Sequence, residues 1–377
     1  MRATSGSIAT RPEALPWRGM RSGGWSLVGS ALLLATVGLA TVSSASSEVG
    51  GSLLTRQAVW IVLGIAVMSV GAALDGKLLM RAAPAIYALG LGAVALVTFL
   101  GHEAGGARSW IGIAGFGGQP SDFAKVGAAL LLARYLGGLR QLHLDVRHLL
   151  VAGLIVAPPI ALLALQPDLG GAVMFLPVYL GMVLVAGIRA RLLATVMVAA
   201  LAIGPAVWAF GMQDYQRDRI ATFVSPERDP LGAGYQVRQS KIAVGSGALL
   251  GKGYGQGTQS QLRFLPARHT DFVFAVLAEE WGFLGVLLVL GLYAFYLWTG
   301  LRIATRARNR SGVLLAAGLL AALAAHLLYN TGMMIGMVPV TGIPLPFLSY
   351  GGSFMLFCFF VTGLLLGIDL RRYVNRF

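Results

Sequence analysis

Long blocks of apolar residues follow one another along almost the whole chain, and this pattern constrains the fold more than any other feature. The blocks have the length of about 20 residues that an α-helix needs to cross a hydrocarbon core of about 30 Å. Of the 377 residues, 56% are hydrophobic and 12% are charged, whereas a soluble domain carries about 25% charged residues. A soluble fold could not cover its surface with so few charges, so the sequence predicts an all-α polytopic membrane protein.

The apolar blocks predict about ten transmembrane helices, with both chain termini on the same side of the membrane because the number is even. The longest connection, about 212–270 between helices 7 and 8, combines polar residues with Tyr, Phe and Leu anchors, and we expect it to be ordered. Residues 1–24 are predicted to form a loose tail, and 25–377 the membrane domain. The predicted helices lie near 25–44, 57–76, 82–101, 119–138, 148–165, 169–188, 191–211, 271–300, 312–337 and 346–370.

The net charge of +14 raises the question of nucleic-acid binding, but the positions of the basic residues argue against it. Of the 29 Lys and Arg residues, 18 fall in short segments at alternate ends of the apolar blocks, which is the pattern of the positive-inside rule. We therefore expect both termini in the cytoplasm, the 212–270 loop on the extracytoplasmic face, and the chain in the cytoplasmic (inner) membrane. The single cysteine, Cys358, excludes an intrachain disulfide.

Polar residues inside apolar blocks are candidates for function because a charge at the bilayer centre costs several kcal/mol. Asp122 and Lys125 lie three residues apart on one helix face, where they can pair. A structural ion pair that holds helices together is an equally good interpretation. Asp168 lies between a proline and a glycine at a turn, where substrate binding and simple turn chemistry are both open.

The 212–270 loop contains eight basic and four acidic residues, and Arg and Lys bind phosphate groups well. Arg217, Arg219 and Lys241 are candidates for holding a diphosphate, with a solvated or ion-paired loop as the alternative. Three prolines interrupt the apolar stretch from Pro339 to Ser353, and a broken backbone at membrane depth is typical of a cavity wall. These residues together indicate an outward polar cavity that processes or moves an anionic, lipid-linked substrate.

In this order, the motifs resemble those of the SEDS family, the shape, elongation, division and sporulation proteins. The resemblance covers nearly all of the chain after residue 25, and the Thr341–Phe347 segment is similar to the RodA branch rather than to the division branch, FtsW. Asp122 and Ala267 stand where Glu is usual, and Gly171 replaces a common Thr or Ser. The matching motifs are Arg108-Ser-Trp-Ile, Gln119-Pro-Ser-Asp-Phe-Ala-Lys, Gln166-Pro-Asp-Leu-Gly, Gly234-Tyr-Gln with Gln239-Ser-Lys, and His269-Thr-Asp-Phe.

The resemblance implies a peptidoglycan glycosyltransferase that polymerises lipid II during cell elongation. Asp271 corresponds to the family's essential loop aspartate, and we expect it to act as general base on an acceptor hydroxyl. The resemblance adds Arg108, His269, Thr270 and Glu280 to the candidate substrate-binding residues.

The expected partners are lipid II, a class B penicillin-binding protein and other membrane proteins of the elongation complex, with no nucleic acid. We recognise no metal-ligand spacing and expect no defined cofactor, although a divalent cation stays open. The alternatives are a lipid II flippase, an FtsW-type division paralogue, and a scaffold that only recruits the penicillin-binding protein.

Overall fold

The computed structural model describes most of the chain, and its secondary structure is nearly all helical. The described residues are 23–46, 52–100, 102–104, 107–113, 116–141, 143–206, 212–230, 232–262, 264, 265 and 267–372. The predicted tail 1–24 lies outside them except for its last two residues, which begin the first helix. The helices are α1 Gly23–Ala45, α2 Ser52–Ala73, α3 Gly76–Leu100, α4 Pro120–Gly137, α5 Val146–Leu165, α6 Leu169–Val173, α7 Phe175–Ala186, α8 Ala190–Ala206, α9 Asp214–Val224, α10 Ala233–Ser246, α11 Thr258–Gln261, α12 Val273–Thr305, α13 Arg310–Ile335 and α14 Gly352–Arg371.

Each of the ten predicted spans has a helical counterpart, and the all-α class is confirmed. Among the described residues, eight helical segments are long and apolar enough to cross a membrane, with α6 and α7 together forming one of them. The other two counterparts are α4, which carries three charged residues within its 18 positions, and α8, which has 17 residues. The chain is therefore a multi-pass membrane protein, while the total of ten spans stays a prediction.

Three short β-strands follow α3, in a connection for which the sequence predicted no regular structure. They are β1 His102–Ala104, β2 Ala107–Ile113 and β3 Phe116–Gly118. Both pairings are antiparallel, and β2 lies in the middle. The strand pairing satisfies backbone groups in a segment too short and too rich in glycine to form another helix.

The last helix begins at Gly352, so the predicted start at residue 346 is wrong. Pro344 and Pro346 remove two backbone donors from this stretch, and Phe347 has a φ of +63°, which no α-helix accommodates. The apolar composition of residues 346–351 suggested a helix, but these residues form a non-helical segment between α13 and α14.

α12 is kinked at Gly282, whose φ of +65° interrupts the helical backbone. The loop after α10 enters this kink, and its backbone forms hydrogen bonds with both sides of the interruption. Ala248 O accepts from Phe283 N at 2.9 Å, while Gly253 N donates to Glu280 O at 3.0 Å. The loop thus satisfies groups that the kink would leave unpaired, which fixes the loop against α12.

The short arginine-rich segments lie at the ends of helices, and contacts between them bring these helix ends together. Arg310, at the start of α13, donates to Leu139 O, Gln141 O and Ala186 O. Arg134, at the end of α4, donates to the carbonyl oxygens at the start of α3. These contacts place the basic segments at one end of the helix bundle, as the alternation of charge along the sequence predicts.

α14 is the most buried of the eight segments and packs along α2. The two helices approach closely at Gly363, because a β-carbon added there would lie 2.2 Å from Met68 O. This contact is between backbone and backbone, so no side-chain rotation can relieve an added methyl group.

We predict that Gly363→Ala lowers the melting temperature of the detergent-purified protein, at a cost of roughly 1–3 kcal/mol from overpacking. Gly291→Ala is the matched control, because Gly291 lies on an exposed face of α12 with no atom within 4 Å of the added carbon. Thermal unfolding of the two variants beside the parent measures the difference. Equal melting temperatures for the two variants would contradict the close approach of α2 and α14.

Candidate active site

The non-helical segment Pro339–Gly351 is the structural centre of the site. The segment forms no continuous helix, and six of its carbonyl oxygens accept hydrogen bonds from side chains of other elements. A polar backbone group left unpaired in apolar surroundings costs several kcal/mol, so these donors hold the segment in place. In each pair below, the first residue donates through its side chain and the second accepts through its carbonyl oxygen. The pairs are Tyr329 and Pro339, Arg219 and Val340, Asn330 and Ile343, His326 and Pro344, Tyr293 and Pro346, and Gln57 and Ser349.

Asp271 lies in the turn before α12, and this turn is bound to the same segment through three consecutive carbonyl oxygens. His269 O accepts from Tyr350 N at 2.8 Å, Thr270 O from Ser349 Oγ at 2.6 Å, and Asp271 O from Asn330 Nδ2 at 2.9 Å. Because these bonds use only the backbone of residues 269–271, the side chain of Asp271 is left for another function.

The carboxylate of Asp271 faces Gly342, in the middle of the segment. A methyl group on Gly342 would lie 3.5 Å from Asp271 Oδ2, and the φ of +73° at this residue favours glycine. Burial raises the pKa of Asp271 to about 6, and the positive charge of Arg219 partly opposes this shift. Asp271 therefore ionises near neutral pH and can exchange a proton there.

His269 is the neighbour of Asp271 in the sequence, but its ring packs edge-on against Tyr350, with ring centroids 5.9 Å apart. Burial lowers the pKa of His269, and the positive charge of Arg268 lowers it further. The ring is thus neutral at pH 7 and provides hydrogen bonding rather than charge. The hydroxyl of Thr270 donates to Ala267 O within its own turn.

A buried ion pair between Asp122 and Lys125 forms the second part of the site. Lys125 Nζ lies 3.0 Å from Asp122 Oδ1 and 3.2 Å from Nε2 of His326, and it lies over the ring of Phe357. Since the ammonium group only donates, Nε2 accepts, and the other ring nitrogen of His326 donates to Pro344 O. The pair predicted from the sequence therefore exists, and His326 connects it to the non-helical segment.

Asp168 belongs to the same network through Gln119. Gln119 Nε2 donates to Asp168 Oδ2 at 2.5 Å, and Gly171 N donates to Asp168 Oδ1 at 2.8 Å. The hydroxyl of Ser353 accepts from Gln119 N at 3.0 Å and donates to Asp122 Oδ2 at 3.3 Å. Burial raises the pKa of Asp168, although Lys125 and the Gly171 N–H group act against it. Asp168 thus has the predicted turn role, and its role in substrate binding stays a prediction.

Two of the predicted loop cations reach the start of the non-helical segment. Arg219 Nη1 donates to Val340 O at 3.2 Å, and the side chain of Lys241 packs against Gly336 at the C-terminal end of α13. Arg217 lies on α9, with its guanidinium 3.6 Å from the exposed carboxylate of Asp214. Arg108 lies in β2, and its side chain is outside the part that the structure describes, as is the whole of Arg263.

Glu280 lies farther along α12, where it accepts a hydrogen bond from Ser44 near the end of α1. Its neighbour Glu279 accepts from Lys252 Nζ at 2.7 Å and from Gln259 N at 2.9 Å. These bonds hold the loop that contains α11 against α12. Ala267, where the family usually has Glu, has a φ of +51°, and its carbonyl oxygen accepts from Thr270 N and Asp271 N. Its backbone shapes the turn that carries Asp271.

The sequence interpretation missed His326 and Asn330 as parts of the site. It marked the stretch from Pro339 to Ser353 as a cavity wall but did not single out Gly342 or Ser353 within it. His326 and Asn330 are polar residues inside an otherwise apolar helix, so the rule that marked Asp122 would have marked them as well. Gly342 and Ser353 gave no comparable signal, because their role depends on which side chains approach them.

The geometry combines a titratable carboxylate, a nearby guanidinium and a buried polar network around one non-helical segment. Residues 25–374 match the family model FtsW/RodA/SpoVE, described as cell cycle proteins. The chain belongs to this family. The SEDS resemblance found from the motifs is thereby confirmed.

Relatives within the FtsW/RodA/SpoVE family match over most of their lengths. The peptidoglycan glycosyltransferase MrdB of Escherichia coli K12 is 38% identical over 341 residues, which cover 90% of this chain and 91% of that protein. The stage V sporulation protein E of Bacillus subtilis is 35% identical over 353 residues, covering 90% of this chain and 94% of that protein.

Two solved structures share this family fold. The first is a chain from a structure that describes the structural coordination of polymerization and crosslinking by a peptidoglycan synthase complex. It aligns with this chain at a TM-score of 0.81 and 34% identity. The rod shape determining protein RodA of Thermus thermophilus has a TM-score of 0.69 and 30% identity. Each comparison covers 93% of this chain and 98% of the other.

We predict that Lys125→Met destabilises the protein by roughly 3–5 kcal/mol, because it leaves the carboxylate of Asp122 buried without its counter-charge. The double variant Lys125→Met with Asp122→Asn should recover most of the loss, since neither charge then remains. Melting temperatures in detergent measure both effects. Asp214→Asn is the control, as it breaks an ion pair of the same spacing at an exposed site and should leave the melting temperature unchanged. A Lys125→Met variant as stable as the parent would show that the pair is not structural.

Proposed function

We propose that the chain is a peptidoglycan glycosyltransferase that polymerises lipid II on the extracytoplasmic face of the cytoplasmic membrane. The relatives named above support the reaction class, since MrdB carries this activity in its name. The observation that carries the assignment of the catalytic residue is the position of Asp271. It is a carboxylate with a pKa of about 6, in a turn whose backbone carbonyl groups accept hydrogen bonds from the non-helical segment and from Asn330.

The proposed step is a single displacement at C1 of the donor sugar. Asp271 accepts the proton of the acceptor 4-hydroxyl as its oxygen forms a bond to C1. The bond from C1 to the diphosphate oxygen breaks, and its electron pair leaves with the diphosphate, so the configuration at C1 inverts. One base is sufficient because the diphosphate needs charge stabilisation rather than a proton in order to leave.

The basic residues near Asp271 are suited to stabilise the departing diphosphate. Arg219 and Lys241 reach the two ends of the Gly336–Val340 stretch, and both residue types bind phosphate groups. Arg217 lies two residues before Arg219 on α9, which turns its side chain by about 200° from that of Arg219, so it is proposed as a contact from its motif. Arg108 is proposed as a further contact on the basis of its motif alone.

The network of Asp122, Lys125 and Asp168 is proposed as the wall against which the acceptor or donor sugars lie. Its carboxylates and amide are groups that bind sugar hydroxyls, and His326 connects it to Pro344 O of the non-helical segment. A methyl group on Gly170 would lie 2.8 Å from Thr341 O, which shows how closely α6 approaches this segment. His269, Thr270 and Glu280 are proposed to contribute contacts at the margins.

The proposed partner is a class B penicillin-binding protein, together with other membrane proteins of the elongation complex. Its support is the similarity to a chain from a peptidoglycan synthase complex that performs polymerization and crosslinking. A flippase is the second candidate function, because a polar cavity among many helices would suit it as well. Conversion of lipid II to glycan polymer by the purified protein with its partner distinguishes the enzyme from the flippase.

We predict that Asp271→Asn lowers lipid II polymerisation about 100-fold or more, which is the scale of losing a general base. Its melting temperature should match or exceed that of the parent, because the variant removes a carboxylate whose ionisation in the folded state is opposed by burial. The control is Asp218→Asn, at an exposed residue of α9. Normal polymerisation by Asp271→Asn would rule out the base while leaving the family assignment intact.

The pH dependence provides a second test of the same residue. Because Asp271 must be ionised to accept a proton, kcat/KM should fall as the pH drops through about 6. Arg219→Gln removes the positive charge that favours ionisation, so the midpoint of this fall should move to higher pH. Arg228→Gln, in the exposed 3₁₀ turn Pro226–Arg228, should leave the midpoint in place. A midpoint that does not move in Arg219→Gln would show that Arg219 does not act on the base.

A further inference from the structure

A cavity of about 610 Å³ opens at the end of the helix bundle opposite Asp271. It lies between the turn that joins α2 to α3, the start of α13 and the end of α14. Asn330, in the last part of α13, donates to Asp271 O, while Asn309, the residue that precedes α13, lines the cavity. The two residues are 21 positions apart. At 1.5 Å per residue this separation is about 30 Å, the thickness of the hydrocarbon core, so the cavity lies at the other membrane surface.

The cavity wall has a net positive charge. Lys77, Arg308, Arg371 and Arg372 line it, against the single carboxylate of Asp75. Arg371 donates to Ala72 O at 2.8 Å, and Arg372 lies 3.5 Å from Asp369, so these two arginines also fix the wall. Asp369 reduces the surplus by one charge, which leaves a net charge of about +2 around the cavity.

Two long helices, α3 and α13, begin at this cavity, whereas α2 and α14 end at it, so the helix dipoles around it oppose one another. The N–H groups of Lys77 and Gly312 in the first turns donate to Asp75 Oδ1 and Asn309 Oδ1. The attraction of the cavity for an anion therefore comes from its basic side chains.

The remaining wall is apolar and includes Leu79, Leu315 and Leu364. A free phosphate ion or a soluble nucleotide would gain nothing from these leucines, whereas a lipid would contact them with its glycerol and upper acyl chains. Basic pockets between transmembrane helices at the membrane surface are suited to the headgroups of anionic lipids. The volume lies within the range of small-molecule sites and admits such a headgroup.

We propose that this cavity binds an anionic phospholipid, with the phosphate between Lys77 and Arg308 and the upper acyl chains along the leucine wall. This site is separate from the proposed glycosyltransferase site, and it connects α2, α3, α13 and α14 through one ligand. Since the end of α14 is part of the cavity while its start carries Ser353, bound lipid would stabilise the helix that supports the catalytic network.

The test measures lipid binding by the full-length protein with native mass spectrometry and thermal unfolding. Phosphatidylglycerol is compared with phosphatidylcholine, which has no net charge. The cavity variant is Lys77→Gln with Arg308→Gln, and the control is Arg81→Gln with Arg306→Gln. The control loses two exposed charges at the same end of the bundle but outside the cavity lining.

We expect the parent and the control to retain phosphatidylglycerol in preference to phosphatidylcholine and to melt at higher temperature when it is added. The cavity variant should lose this retention by about tenfold or more, because two cationic contacts are removed. Equal losses in the cavity variant and the control would overturn the proposal in favour of general surface charge.

Two further outcomes would also overturn the proposal. If millimolar inorganic phosphate raises the melting temperature as much as the lipid does and displaces it fully, the cavity is a site for soluble anions. If the parent shows no preference for phosphatidylglycerol, the cavity has another occupant, such as a segment of a protein partner.

Discussion

The structure depends on how the unpaired backbone of Pro339–Gly351 is satisfied within an apolar bundle. A helix would satisfy its own carbonyl groups, but prolines prevent one here, and water is scarce at this depth. Side chains from α2, α9, α12 and α13 therefore donate to six carbonyl oxygens of the segment. Two of these donors, Asn330 and His326, also contact the turn of the proposed base and the buried ion pair, so both lie beside one short stretch of chain. The need to satisfy the backbone thus positions the chemistry.

The two acidic centres beside this segment have different electrostatic settings. The charge of Asp122 is balanced by Lys125 at 3.0 Å in a buried network, which favours a fixed structure. For Asp271, burial raises the pKa, and the positive charge of Arg219 only partly opposes this shift. A carboxylate that must gain and lose a proton in each cycle is better served by the second setting. This contrast supports Asp271 as the base and the Asp122 pair as a rigid wall.

The long helices α13 and α14 join two ends of the molecule with different chemistry. At one end they carry Asn330 and Ser353 of the proposed active site, and at the other they border a basic cavity at the membrane surface. Packing of α14 against α2, with contacts as close as that of Gly363, makes this pair a stiff connection. Binding at the cavity is thus able to affect the stability of the helices that support catalysis.

The sequence by itself determined the helices, the end of the bundle where the arginines gather, and the polar motifs, because block length and spacing are local properties. It also identified the Asp122–Lys125 pair, since both residues lie on one helix. Only the tertiary structure decided the start of α14 at Gly352, the kink at Gly282, and the roles of His326 and Asn330. These features depend on which donors reach an unpaired carbonyl from other helices. That pairing is set by helix packing between residues far apart in the chain, which no local pattern records.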